Sequence, residues 1–130
     1  MEPISATSIL VLVLLLQVKH AVFDGPLQTA WMLAEKGTYG RMGGIAHAGL
    51  HGAGSLAALG IYGIAIEVAL LLAAIDAVIH YHIDYAKEQV VKRRGWTPRD
   101  TYFWWSLAAD QTLHHATYLG MAAVIASGRV

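Results

Sequence analysis

Histidine and aspartate side chains recur at four-residue spacing within otherwise apolar stretches of the sequence. Residues four apart lie on one face of an α-helix, so each set would present its side chains together. The sets are His20-x-x-x-Asp24-x-x-x-Gln28, His47-x-x-x-His51, Asp76-x-x-x-His80-x-x-x-Asp84, and Asp110-Gln111-x-x-His114-His115. Because imidazole and carboxylate groups on facing helices are typical metal ligands, the pattern indicates a metal site inside a helical bundle.

The donor set limits which metal ions could bind. The sequence has no cysteine, so any ion would be held by imidazole nitrogen and carboxylate oxygen. Those donors suit zinc first, with manganese or iron as alternatives, and they could hold one ion or two. Water on an open coordination position has a pKa near about 7 and could attack an ester or phosphoester. The candidate ligands are His20, Asp24, His47, His51, His80, Asp84, Asp110 and His114.

Other polar residues could complete a catalytic site. Asp76 or Asp110 is the candidate general base, although Asp76 could instead orient His80, as carboxylates near metal-bound histidines often do. A simpler alternative applies to every set, namely internal hydrogen bonding without a metal ion. The residues predicted to hold the anionic end of a substrate are Gln28, Lys36 and Lys87.

The composition indicates a membrane protein. The chain has 130 residues, of which 56% are hydrophobic and 14% charged, and its mean hydropathy is +0.48. Soluble domains are about a quarter charged. A transmembrane helix needs about 20 residues, so residues 1–130 have room for one integral membrane domain of about four spans.

The helices that would position these groups can be placed approximately. Apolar runs, glycine-rich breaks and the Gly25-Pro26 pair predict an all-α, four-helix transmembrane bundle with a proline-kinked first helix. A short interfacial helix should follow the kink, and helix four should open with an aromatic belt. The predicted ranges are 4–24, 27–36, 45–59, 64–87 and 101–126.

The distribution of basic residues predicts the orientation in the membrane. Most Lys and Arg residues fall in the loops after the first and third spans, whereas the opposite side has only Arg129 apart from the N-terminal amine. Basic loops stay in the cytoplasm, so both termini should lie outside it. This orientation would place all the His/Asp sets in the cytoplasmic half of the bundle.

The pattern of polar residues resembles a known family. The sets around His20, His80 and His114, with Lys36 and Lys87 at their spacing, look like domain-of-unknown-function family 3307, small integral membrane proteins of bacteria and their phages. The resemblance covers nearly the whole chain and implies a location in the bacterial inner membrane. More weakly, the sequence is similar to predicted membrane-bound metal-dependent hydrolases.

Three functions are consistent with these features. The first is metal-dependent hydrolysis of an amphiphilic ester or phosphoester, such as a phospholipid or polyprenyl phosphate, reached from the bilayer. The second is haem binding by two facing histidines. The third is a non-catalytic subunit or transporter that works in a homo-oligomer or membrane complex. No nucleic-acid partner is expected, because the short basic run Lys92-Arg93-Arg94 is typical of a topology signal beside anionic lipid.

Overall fold

A computed structural model describes residues 5–128, and this part of the chain is helical, with no β-strand. The prediction of an all-α fold is confirmed. The predicted start of helix one at Ile4 lies outside the described residues, as does Arg129. The helices are α1 (Ala6–Asp24), α2 (Ala30–Glu35), α3 (Met42–Tyr62), α4 (Ile66–Arg94) and α5 (Thr101–Ala126).

The first helix ends, and does not bend, at the glycine–proline pair. The Ser5 hydroxyl accepts a hydrogen bond from the Ser8 backbone amide at 3.1 Å and caps the start of α1. After Asp24 the chain turns through Gly25 and Pro26, because proline disfavours helical backbone in the residue before it. The predicted kink is therefore a helix end.

Helices α3 and α4 are longer than the sequence predicts. Gly63 directly follows α3 and Gly95 directly follows α4. Their φ angles of 91° and 67° are left-handed, a conformation that favours glycine and ends each helix. Helix α4 continues past Lys87 to Arg94. Its last turn is basic, which stabilises the negative end of the helix dipole.

The start of α5 agrees with the prediction. Thr97 donates hydrogen bonds to Asp100 Oδ2 from its backbone amide at 2.7 Å and its hydroxyl at 2.9 Å. These bonds favour the ionised carboxylate and lower the pKa of Asp100. The resulting turn leads directly into α5 at Thr101.

Close helix packing depends on a small residue in α3. Helix α3 packs against α1, α2 and α4, and α5 packs against α1 and α4. A Cβ atom added at Gly52 would lie 3.0 Å from both the Ala73 carbonyl oxygen and the Ala77 Cβ of α4. The two backbones therefore approach closely where α3 carries its histidines.

The bundle has polar groups inside and apolar groups outside. Leu12, Leu16 and Leu59 belong to a small apolar core, whereas much of the remaining interior is histidine, aspartate and lysine. The outer surface exposes large apolar side chains, such as Leu10 and Leu71 at 68% and 58%.

Two helices, α1 and α4, are long and apolar enough to cross a membrane. Helices α3 and α5 have the length, but no stretch of either is apolar enough to meet the same test. Both bury histidines, namely His47 and His51 on α3 and His114 on α5. Their lower hydropathy therefore reflects the buried polar groups described next.

Candidate metal centre

The histidines from four helices meet in the interior. They are His20 on α1, His47 and His51 on α3, His80 on α4 and His114 on α5, each no more than 2% exposed. Their Nε2 atoms all point toward the carboxylates of Asp24 and Asp84. We call these seven residues, with Asp110, the His/Asp cluster. A buried His/Asp cluster is therefore present, and each predicted set contributes to it.

Asp24 lies at the centre of one half of the cluster. Its Oδ1 is 3.1 Å from His51 Nε2 and 3.2 Å from His47 Nε2. Its Oδ2 is 3.1 Å from His20 Nε2 and accepts a hydrogen bond from Gln111 Nε2 at 3.0 Å. Because Asp24 is the last residue of α1, the helix end places this carboxylate among side chains of α3 and α5.

Asp84 occupies the other half. Its Oδ2 is 3.2 Å from His47 Nε2 and 3.6 Å from His80 Nε2, and its Oδ1 is 3.3 Å from His114 Nε2. The Lys36 ammonium lies 3.5 Å from Oδ2. Asp84 Oδ2 is fully buried and has no hydrogen-bond partner, so the Lys36 ammonium and the imidazoles stabilise it by charge and not by hydrogen bonds.

His47 Nε2 has more close neighbours than hydrogen bonding can use. It lies 3.2 Å from Asp24 Oδ1, 3.2 Å from Asp84 Oδ2 and 3.2 Å from His80 Nε2. A ring nitrogen carries at most one hydrogen, so one hydrogen bond at most can be donated. A cation could attract all of these atoms together.

The donor spacing fits a metal ion. Tetrahedral zinc with bonds of about 2.1 Å needs its ligand atoms about 3.4 Å apart, close to the separations of 3.1–3.6 Å in the cluster. Two groups have ligand atoms that lie within 4.8 Å of one another. The groups are Asp24, His47, His51 and His80, and His80, Asp84 and His114.

Ring stacking fixes the orientation of three of these imidazoles. The His51 and His80 ring centroids are 3.6 Å apart, and those of His80 and His114 are 4.0 Å apart, with interplanar angles of 23° and 26°. Rings stacked this closely leave no slot between them for a porphyrin. The arrangement therefore favours a bare ion over haem.

His20 and Asp110 border the ligand groups. His20 Nδ1 lies 2.8 Å from the Tyr118 hydroxyl, and His20 Nε2 lies 2.9 Å from Gln111 Oε1. Asp110 Oδ1 lies 3.6 Å from His114 Nε2 and has no hydrogen-bond partner. Both residues thus belong to the cluster but to neither of the two groups with ligand spacing.

The structure separates the three residues predicted to hold an anion. Lys36 Nζ donates to Gln28 Oε1 at 3.5 Å and also faces Asp84, so Gln28 and Lys36 adjoin the cluster. Lys87 Nζ instead contacts Glu88 Oε1 at 2.6 Å. Lys87 lies in a groove between α4 and α5.

Asp76 is bound by residues that the sequence analysis did not single out. Its Oδ2 accepts hydrogen bonds from Lys19 Nζ at 2.9 Å and from the Ser55 hydroxyl at 2.6 Å. The expectation that it orients His80 is wrong, because His80 Nδ1 has no hydrogen-bond partner. Asp76 reaches the cluster through Lys19, which lies 3.4 Å from His51 Nδ1.

Some of these partners carried a recognisable signal. Lys19 is a single charge within the apolar run of helix one, and such a charge must be paired when buried in a membrane. Tyr118 follows His114 by one helical turn and shares its face. Ser55 follows His51 in the same way, but serine in a small-residue helix gives no distinctive signal.

Comparison with known proteins identifies the family. The profile of the family described as "Protein of unknown function (DUF3307)" matches residues 10–127, so the chain belongs to this family. Comparison with curated proteins and with solved structures gives no significant match. The chemistry must therefore be inferred from the residues themselves.

Proposed function

We propose that this family member is an integral membrane metalloprotein that binds one or two divalent ions in its His/Asp cluster. Zinc is the first candidate, with manganese and iron as alternatives. The single observation that supports this proposal most strongly is the position of His47 Nε2, 3.2 Å from two carboxylates and a second imidazole. One proton cannot satisfy that arrangement, whereas a cation can.

The distribution of polarity supports insertion in the membrane. Helices α1 and α4 have the length and hydropathy of spans. In α3 and α5 the residues that lower the hydropathy, such as His51 and His114, are buried, so they would not face lipid. In the proposed arrangement the chain spans the inner membrane four times. The cluster lies near the cytoplasmic face, and both termini lie on the other side.

The proposed activity is hydrolysis of an ester or phosphoester in an amphiphilic substrate. A divalent ion bound at the cluster would supply a Lewis acid that polarises a carbonyl or phosphoryl oxygen. Asp110, whose Oδ1 is buried and has no hydrogen-bond partner, would accept a proton from the attacking water. Lys87, at the outer side of the bundle, would hold the anionic end of the substrate, whereas Lys36 and Gln28 lie against the cluster.

Metal content and hydrolysis test the proposal together. The protein is purified in detergent without chelators, and its metal content is measured by plasma mass spectrometry. We expect at least one tightly held ion in the parent and loss of that ion in His47→Ala. His82→Ala is the matched control, because His82 is an exposed histidine on α4, and it should retain the metal.

Hydrolysis is then measured as phosphate release from phosphatidic acid in mixed micelles. The parent should be active, and both His47→Ala and chelator treatment should abolish the activity. An equal metal content in the parent and His47→Ala would overturn the metal site. A fully loaded protein that hydrolyses neither phosphoester nor carboxylic ester lipids would overturn the enzymatic part alone.

A further inference from the structure

An apolar groove runs along the outside of the bundle between α4 and α5. Its volume is about 740 Å³, within the range of about 300–1,000 Å³ typical of small-molecule sites. Along α4 its lining extends from Val78 to Val90, which corresponds to about 18 Å at the rise of an α-helix. That length is similar to the thickness of one leaflet, about 15 Å, which is half of a hydrocarbon core about 30 Å thick.

The walls of the groove are apolar and open to the surroundings. Val78 and Ile79 on α4 face Leu113 on α5, and these side chains are 58%, 38% and 54% exposed. Trp96 and Trp105 line the groove toward the α4–α5 loop. Tryptophan is enriched at the level of lipid headgroups, so this end would lie near the membrane surface.

Two charged residues lie on opposite walls of this apolar groove. Lys87 on α4 is paired with Glu88, whose side chain is 27% exposed, so an incoming anion could replace that partner. Asp110 on α5 is 4% exposed, and its Oδ1 has no hydrogen-bond partner. That oxygen is enclosed and faces the His/Asp cluster, so Lys87 is the charged group that a molecule in the groove could reach.

Asp110 also connects the groove to the His/Asp cluster. Its Oδ1 is 3.6 Å from His114 Nε2, and His114 is one of the candidate ligands that contact Asp84. A molecule in the groove would therefore place its polar end beside the candidate metal centre without passing through the bundle interior.

We propose that this groove binds the hydrocarbon chain of a phosphate-bearing lipid, an inference that rests on the proposed function and names its substrate. The chain lies along Val78, Ile79 and Leu113, and the phosphate pairs with Lys87. The substrate enters the groove sideways from the lipid.

Photo-crosslinking tests this assignment. The full chain in dodecyl maltoside is incubated with phosphatidic acid that carries a diazirine on its acyl chain, irradiated, and mapped by peptide mass spectrometry. We expect labelling concentrated on the α4 segment 78–83 and around Leu113. Labelling spread evenly over the exposed faces of all the helices, with no preference for these residues, would overturn the proposal.

A matched pair of variants separates the groove from the rest of α5. Ala109 lines the groove and Ala108 does not, and both are exposed. Ala109→Trp should fill the groove and reduce labelling about tenfold, the equivalent of about 1.4 kcal/mol in affinity, whereas Ala108→Trp should label like the parent. Ala109→Ile gives a smaller obstruction if the tryptophan variant does not fold. Equal labelling of Ala109→Ile or Ala109→Trp and the parent would overturn the proposal.

The head contact has its own control. Lys87→Gln should weaken labelling by phosphatidic acid but not by a diacylglycerol probe with the same chains. Metal content is measured on every sample. Groove labelling without any bound metal would refute the proposed function and keep the lipid site, whereas a metal-loaded protein with no preferential labelling would refute the lipid site alone.

Discussion

Lys19 and Asp76 form an ion pair in the interior between α1 and α4, with Nζ 2.9 Å from Oδ2 and side-chain exposures of 7% and 2%. Lys19 also donates to the His51 backbone carbonyl at 3.0 Å and lies 4.6 Å from the centre of the Tyr118 ring. The pair therefore links four helices, α1, α3, α4 and α5, directly beside the cluster. It is the main buried charge pair that contains no candidate metal ligand in the described part of the chain.

Breaking this pair should destabilise the fold strongly. Lys19→Met leaves the Asp76 carboxylate buried without its cation, which costs about 3–5 kcal/mol in comparable buried pairs. We expect the double variant Lys19→Met, Asp76→Leu to recover part of that loss. Thermal and denaturant unfolding followed by circular dichroism would measure both. If the single variant is as stable as the parent, the ion pair does not form.

The two ligand groups predict different effects for different histidines. His80 belongs to both groups, whereas His51 and His114 belong to one each. His80→Ala should therefore lose nearly all tightly held metal, while His114→Ala should keep the ion held by the Asp24 group. Plasma mass spectrometry after gel filtration measures the content. The reverse order of losses would show that the ligand set is wrong.

Most residues of the candidate site could be predicted from the sequence, because the spacing pattern that marks them lies within single helices. Four-residue spacing places His47 with His51 and His80 with Asp84 on single helix faces, and a charged face within an apolar helix must turn inward. Helix α5, the fourth predicted span, was predicted at its observed bounds, 101–126, because Pro98 and Asp100 mark its start.

The parts that sequence reasoning missed depend on tertiary contacts. No pattern in the neighbouring sequence indicates that Lys19 pairs with Asp76, since the distance between them is set by how α1 and α4 are placed in the bundle. The extension of α4 past Lys87 was also missed, because the charged residues there were interpreted as a loop. They instead form a solvated, basic last turn that suits the helix dipole.

The Tyr118 hydroxyl should support His20 and leave the metal in place. Tyr118 is fully buried and lies 2.8 Å from His20 Nδ1. Tyr118→Phe removes this partner, and a buried polar atom left unsatisfied costs about 1–3 kcal/mol. We expect a lower unfolding temperature with unchanged metal content, because His20 is outside both ligand groups. Loss of metal in Tyr118→Phe would instead make His20 a ligand.

A larger side chain should destabilise the protein at Gly52 of α3 but not at Gly49 of the same helix. A Cβ at Gly52 would meet the α4 backbone at 3.0 Å, whereas a Cβ at Gly49 would have no neighbour within 4 Å. Gly52→Val should therefore force α3 away from α4 and cost about 1–3 kcal/mol as overpacking does. Gly49→Val on the same helix is the control and should unfold like the parent.

Because the displacement separates His51 from His80, whose rings stack at 3.6 Å, Gly52→Val should also lower the metal content. Equal stability and equal metal content in the two variants would show that α3 and α4 do not pack as described.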